Sequence, residues 1–230
     1  MPDARREETN ACDSEDGAEM QVAFANDDAG IAKLAAIVRN RPWAFTAVRF
    51  IKKARTRVGF LLAVWCLAEG VYFRERPFAL HRPNAYVVIG LILIVSGLAF
   101  RLAALGCIHK KESLAIEGVY SLCRHPLYLG SILIAYGFCI LLADLENYVL
   151  ASVYFVVFYP VTILWEEIRL GVRYGEMHRR YRACTPLLLP LEAVRKGTFT
   201  WRTAMSQGGL LLLAAVTMLL GSVQVMAVTL

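Results

Sequence analysis

Apolar and polar positions alternate along this chain on the scale of whole helices. Five apolar stretches stand at 58–73, 85–108, 127–143, 148–165 and 208–230. The hydrocarbon core of a bilayer takes about 20 helical residues, within a range of about 17–25. The second and fifth stretches meet that length unaided, and the other three reach it by drawing in flanking residues. The pattern predicts an all-α, polytopic membrane protein with about five transmembrane helices. A further helix is expected over 31–57, where Trp43, Ala47, Phe50, Ile51 and Ala54 fall on one face with Arg49, Lys52, Lys53, Arg55 and Arg57 around it. Such a helix lies on a membrane surface with its bases reaching for phosphates, or packs on the protein's own cytoplasmic loops. Residues 1–28 are polar, acidic and poor in aromatics, and are expected to stay disordered. Three regions result: an acidic tail (1–28), an interfacial helix region (29–57) and a five-helix transmembrane domain (58–230).

Composition points the same way. The chain is 57% hydrophobic and 19% charged, with a mean hydropathy of +0.49, against about 25% charged residues in a typical soluble domain. The net charge of +6 hides an asymmetry: the first 28 residues hold nine acids and two bases, leaving 23 bases and 10 acids for the rest. Bases scattered between apolar runs of lipid length argue for an anionic membrane surface and against nucleic acid. Six cysteines show neither CxxC nor Cys/His metal spacing. Counting bases on each side of the spans gives 18 on one side (39–57, 107–126 and 166–207) and three on the other (Arg74, Arg76 and Arg82). The positive-inside rule then places the N-terminus and both long connections in the cytosol and the C-terminus outside.

Those two connections, 107–126 and 166–207, carry the polar density beside the membrane. The first re-enters at Pro126, which suits the opening turn of a helix because its missing N–H costs nothing there. Arg124 and His125 precede it at the positive end of the helix dipole. Backbone donors, a cation and an imidazole at that place suit an anion such as a carboxylate, a phosphate or a lipid headgroup. One turn in, Tyr128 offers a stacking face or a hydrogen bond, and Gly130 lets a flat ligand come close. The second connection opens with Glu166 and Glu167 at the end of an apolar helix. Two carboxylates there cannot both face lipid, and a charge so placed marks function. Successive helical residues point about 100° apart, so one faces inward while the other pairs with Arg169 or Arg173. Glu167 is expected to face the pocket from the cytosolic rim, with a purely structural ion-pair network as the alternative. Within the spans, Glu69 and Arg101 are the charges, Arg101 lining the pocket or snorkelling to the cytosolic side.

The run Gly-x-Tyr-x-x-x-Arg-His-Pro-x-Tyr-x-Gly (Gly118 to Gly130) and the later Glu-Glu-x-x-Leu (Glu166 to Leu170) resemble the isoprenylcysteine carboxyl methyltransferase family. That family belongs to a wider group of small membrane S-adenosylmethionine-dependent methyltransferases that includes phospholipid N-methyltransferases. Tyr174, Gly175, Tyr181, Pro186 and Pro190 continue the likeness, which covers about 101–190. The resemblance implies a fold without a Rossmann sheet, no metal, and S-adenosyl-L-methionine in a cytosol-facing pocket capped by the 166–207 connection. It implies Gly118, Tyr120, His125, Tyr128, Leu129 and Gly130 as cofactor contacts, with Glu166 and Glu167 between cofactor and acceptor; the local reading above adds Arg124 to the cofactor contacts and Arg173 to the reacting centre. A lipid-like or prenylated acceptor, a carboxylate first of all, would enter sideways from the bilayer. His178 and Leu187 stand where the family often shows a tyrosine and an arginine, which marks a bacterial-type branch whose acceptor need not be a prenylated protein. His178 is expected to be a solvated helix residue.

Other readings stay open. One is methylation of a lipid phosphate or amine headgroup. Another is a steroid-reductase-like NADPH enzyme, which needs further bases for a third phosphate. The last is a non-catalytic membrane scaffold, which predicts polar residues lining the middle of the helices.

Overall fold

The computed structural model describes residues 42–72, 77–80, 84–107, 114–189 and 197–229; the acidic tail, the start of the interfacial segment and Pro190 lie outside them. Over the described residues the chain folds as helices with no strand: α1 (Pro42–Tyr72), α2 (Ala85–Cys107), α3 (Val119–Leu122), α4 (Pro126–Leu142), α5 (Leu145–Tyr174), α6 (Glu176–Cys184), α7 (Trp201–Ala204) and α8 (Leu210–Thr229), with a π-helical turn (Met205–Gly209) joining the last two. Among the described residues three helices are long and apolar enough to cross a membrane: α2, α5 and Trp201–Thr229, which kinks at Gly208 (φ 102°); α4 is a shorter apolar helix. Large apolar side chains point outward on each long helix, among them Val88, Ile92 and Val95, Val153 and Val156, and Leu211, Met218 and Val225. A row of exposed valines and leucines suits lipid and not water. The protein is an integral membrane protein.

The junction expected near residue 57, between an interfacial helix and a first span, does not exist. α1 runs unbroken through it, because the change from basic to apolar side chains brings no proline or capping residue to stop the helix. Gly59 lies one turn beyond Arg55, and a Cβ there would come within 2.8 Å of the Tyr154 hydroxyl of α5. That hydroxyl donates to the Arg55 carbonyl at 3.0 Å, so α1 docks on α5 at this level.

The tightest packing joins α2 to α4. Gly90 and Gly97 face Gly137 and Gly130, each pair seven residues apart, so the matching positions lie on one side of each helix. Backbone meets backbone there: a Cβ on Gly97 would stand 2.6 Å from the Gly130 carbonyl, and one on Gly137 would stand 2.8 Å from the Gly90 carbonyl. In lipid, where burying apolar surface brings helices together only weakly, such small-residue contact is what holds them. Below this seam Val87, Ile94, Leu141, Leu142, Val216 and Val223 form the buried core shared with α8. Ala143 closes α4 in a left-handed conformation (φ 60°), and Asp144 caps α5 by accepting from the Glu146 and Asn147 N–H groups at 3.2 and 3.3 Å. This two-residue reversal makes α4 and α5 an antiparallel pair.

Replacing Gly97 by valine should therefore cost about 1–3 kcal/mol from overpacking. It should visibly lower the thermal midpoint of the detergent-purified protein. Gly221→Ala, with nothing within 4 Å of the added Cβ, should leave the midpoint in place. Equal midpoints for both variants would refute the seam.

Candidate active site

A buried carboxylate organises the connections before α4 and after α5. Glu167, 4% exposed, sits near the end of α5. Arg124 approaches its Oε2 at 2.5 Å and Arg182 Nε at 3.0 Å. His125 Nε2 lies 2.9 Å from Oε1; an ionised carboxylate only accepts, so the imidazole proton is on Nε2. His178 Nε2 stands 3.8 Å from Oε2. These partners come from the loop before α4, from the residue that precedes α4, and from α6. Gly175, with φ 53°, turns the chain between α5 and α6, and its left-handed backbone is one that glycine adopts without strain. The reversal brings the His178–Tyr181–Arg182 face of α6 back onto α5. Tyr181 then donates its hydroxyl to the Tyr120 carbonyl at 2.6 Å, tying α6 to α3. The Arg124 and His125 N–H groups donate to the Pro186 and Leu187 carbonyls at 2.9 and 3.2 Å.

Burial pushes the His178 imidazole below its ordinary range, and Arg182 and Arg124 add to this against the opposing pull of Glu167. Burial likewise raises the Tyr181 phenol and lifts the Cys123 thiol to about 11. Both stay protonated at neutral pH, as structural groups do.

Glu166 points elsewhere. Its half-exposed side chain accepts from the Tyr128 hydroxyl at 3.0 Å and lies 3.9 Å from His125 Nδ1. It opens on a cavity of about 670 Å³ walled by α1, α2, α4 and α5, whose lining includes Arg55, Tyr128, Tyr159, Glu166, Arg169 and Arg173. Arg55 stacks over the Tyr128 ring at 5.2 Å, and Arg173 over Tyr174 at 5.3 Å. A second cavity of about 440 Å³, almost wholly apolar, continues into the membrane-embedded half. Arg101, Ser131, Ala135, Tyr154 and Phe155 line both cavities.

Of the residues singled out in the sequence, Tyr128, Glu166 and Arg173 line the larger cavity. Glu167 does not. It faces away from the cavity, because the 100° step from Glu166 carries it into the Arg124, His125 and Arg182 cluster, and it is buried where a rim position was expected. Its cations are Arg124 and Arg182. Arg124 and His125 thus meet an anion, and that anion is the protein's own. Gly130 is buried against α2: a Cβ there would lie 2.6 Å from Arg101 Cγ and 2.7 Å from the Gly97 carbonyl, so a helix fills the space expected to admit a flat ligand. Gly118 takes φ 63°, and its carbonyl accepts from the Ser121 N–H and hydroxyl. Backbone of the 197–200 segment packs on it, since a Cβ on Gly197 would meet the Gly118 nitrogen at 2.6 Å. Tyr120 is buried beside it, and the Leu129 N–H donates to the His125 carbonyl. His178 is 3% exposed, not solvated as expected, because the turn at Gly175 folds it inward. Among the described residues no group of three or more His, Cys, Asp or Glu is placed to hold a metal ion.

Sequence reasoning passed over Arg55, Tyr154, Tyr159 and Thr162 of the cavity wall. Their signal was present: Tyr154, Tyr159, Thr162, Glu166, Arg169 and Arg173 recur every three to five residues, a polar stripe along an otherwise apolar helix.

Residues 85–177, which carry α2, α4, α5 and most of the lining of the larger cavity, match the model of the phospholipid methyltransferase family. That segment is similar to phospholipid and isoprenylcysteine methyltransferases. A protein-S-isoprenylcysteine O-methyltransferase of Schizosaccharomyces pombe is 31% identical over 83 residues, covering 36% of this chain and 35% of that protein. A cobalt-zinc-cadmium resistance protein, CzcN, of Cupriavidus metallidurans is 28% identical over 160 residues, covering 66% of this chain and 72% of that protein. No solved structure matches significantly. These likenesses support a membrane methyltransferase.

The two adjacent glutamates should behave differently. Glu167→Gln leaves buried arginines without their anion, and breaking a buried pair costs about 3–5 kcal/mol, so the thermal midpoint should fall sharply. Glu166→Gln should leave the midpoint nearly unchanged. Thermal melts of both variants in detergent check this; a harmless Glu167→Gln would show that the cluster does not hold the fold.

Proposed function

We propose that the protein transfers a methyl group from S-adenosyl-L-methionine to the carboxylate of a lipid-like acceptor, at the larger cavity. The observation that carries this reading is the pairing of a polar cleft with an apolar chamber through a common wall. The cleft suits the donor's chemistry group by group. Glu166 is the carboxylate for an ammonium or ribose hydroxyls, and Arg169 and Arg173 are cations for a carboxylate. Tyr128, Tyr159 and Tyr174 offer faces for a purine or a sulfonium. Bound there, the donor supplies an electrophilic methyl group. The chain's own task is alignment and exclusion of water, since in-line displacement needs little acid–base help. Tyr128 is held by Glu166 on one side and covered by Arg55 on the other, so its ring orientation is fixed before any ligand arrives. The buried Arg124, His125, Glu167, His178 and Arg182 cluster sets the position of the cleft's floor and is a positioning device on this reading.

Calorimetric titration of the purified protein with S-adenosylhomocysteine, against NADPH, tests the donor. Micromolar binding of the first and none of the second is expected, at an affinity on the order of −8 kcal/mol. Glu166→Gln should weaken it about tenfold or more, the worth of one charged hydrogen bond. Tighter binding of NADPH would return the protein to the reductase reading.

The excess of bases on the side of the two long connections supports a cleft that opens to the cytosol, where the donor is made. An impermeant thiol reagent applied to intact cells, in a background stripped of native cysteines, should label Glu146→Cys in the α4–α5 turn and spare Arg180→Cys on α6. The reverse pattern would put the cleft on the wrong side of the membrane for this chemistry.

A further inference from the structure

Arg101 stands at the boundary of the two cavities, on the side of α2 that faces α4. Its stem crosses Gly130, whose missing side chain leaves the room. Its guanidinium donates to the Ser131 hydroxyl and, at 3.5 Å, to the Leu127 carbonyl. Its Nε is buried without a hydrogen bond. Among the described residues no carboxylate pairs with it; the groups that act on it are another cation, Arg55, and the Tyr159 phenol. The contrast with Glu167 is sharp. The chain surrounds its buried anion with cations, yet leaves a cation inside a membrane-crossing helix facing only neutral oxygens. A charge at such depth is expensive and usually answers to a ligand.

We propose that Arg101, with Ser131, selects an acceptor carrying an acidic headgroup, a carboxylate or a phosphate. The anion rests on the guanidinium at the mouth of the 440 Å³ chamber, and the hydrocarbon chain runs into that chamber past Leu62, Ala63, Ile134, Phe138 and Leu150. This rests on the methyl-transfer reading of the same cleft and names the residue that holds its acceptor. An amine headgroup would bring a second cation against Arg101 and Arg55, and an alcohol would leave the guanidinium unneutralised, so both are discriminated against. Ser131 matters because its hydroxyl also donates to the Leu127 carbonyl at 2.8 Å, which fixes the oxygen that holds the guanidinium in place. Arg101 is a specificity-determining residue, and the reacting oxygen is the one turned away from it towards the cleft.

The test is direct binding to the full-length protein in non-ionic detergent, with four probes of one chain length: dodecanoate, dodecyl phosphate, dodecanol and dodecyltrimethylammonium. S-adenosylhomocysteine is titrated in parallel. The wild type should hold at least one of the two acids about tenfold or more tightly than the alcohol or the ammonium, and the better acid names the headgroup. Arg101→Gln should lose that preference while its S-adenosylhomocysteine affinity stays unchanged, and Arg101→Lys should keep most of it. Three results overturn the proposal: no acid preference in the wild type, an acid preference that survives Arg101→Gln, or a loss confined to S-adenosylhomocysteine, which would assign the cation to the donor. Should Arg101→Gln fail to fold, the wild-type ranking and Arg101→Lys decide. A wild type that prefers the acids yet ignores S-adenosylhomocysteine would fell the methyl-transfer reading and leave the Arg101 assignment standing.

Discussion

The Glu167 carboxylate is the constraint on which the architecture at this end of the helices depends. Taken out of water, it is tolerable only while cations and donors surround it, and those come from segments far apart in sequence. Arg124 and His125 fix how the chain enters α4; Arg182 and His178 require α6 to fold back on α5 instead of projecting away. That return is possible because Gly175 adopts a positive φ, and it is locked by the Tyr181 hydroxyl on the Tyr120 carbonyl and by the Arg124 and His125 N–H groups on the 186–187 backbone. The Arg-His-Pro corner meets an anion in Glu167. The anion it was built for belongs to the chain.

Adjacent positions on one helix thereby divide the labour. With Glu167 committed to the interior, Glu166 is carried about 100° round the axis and opens on the larger cavity with Tyr128 as its partner. A similar economy holds on α2 and α4. The glycine seam brings their backbones together, and the same absence of a side chain at Gly130 lets the Arg101 stem cross the interface and deliver its guanidinium to the boundary between the cavities. The packing device and the placement of that charge are one feature.

The fold class was legible in the sequence because bilayer thickness imposes a length that few other environments demand. The end of the interfacial helix was not, since a shift from basic to apolar side chains near Arg57 changes where a helix sits without ending it. The site was half legible. Motif order picked out Tyr128, Glu166 and Arg173, and the polar stripe on α5 was there to be read from Tyr154 to Arg173. Which of two neighbouring glutamates turns inward depends on the phase of α5 against its neighbours, and no local pattern contains that phase. His178 and Arg182 stand four apart on one face of α6, so their pairing was visible, but the carboxylate they meet was set by the turn at Gly175. Gly130 is the plainest case of ambiguity. A glycine beside a motif announces that something comes close, and only the tertiary fold says whether it is a ligand or a helix.

The two cavities meet the chemical problem of joining a water-soluble donor to a lipid acceptor, on the reading proposed for them. The cleft is cationic and lined by polar tyrosines, and Arg169 and Arg173 near its outer end are exposed; the chamber is apolar and lies among helices that face lipid. A ligand of each kind has one compartment it can enter without stranding its charges or its hydrocarbon. The compartments share only a short wall of Arg101, Ser131, Ala135, Tyr154 and Phe155, so an amphiphile seated in the chamber and an ionic molecule seated in the cleft meet there and nowhere else. Most of the rate available to a methyl transfer comes from holding two reactants in line away from water. A wall that sorts its ligands by polarity does that work before any residue needs to act as acid or base, which is why the buried cluster behind it can be devoted to rigidity alone.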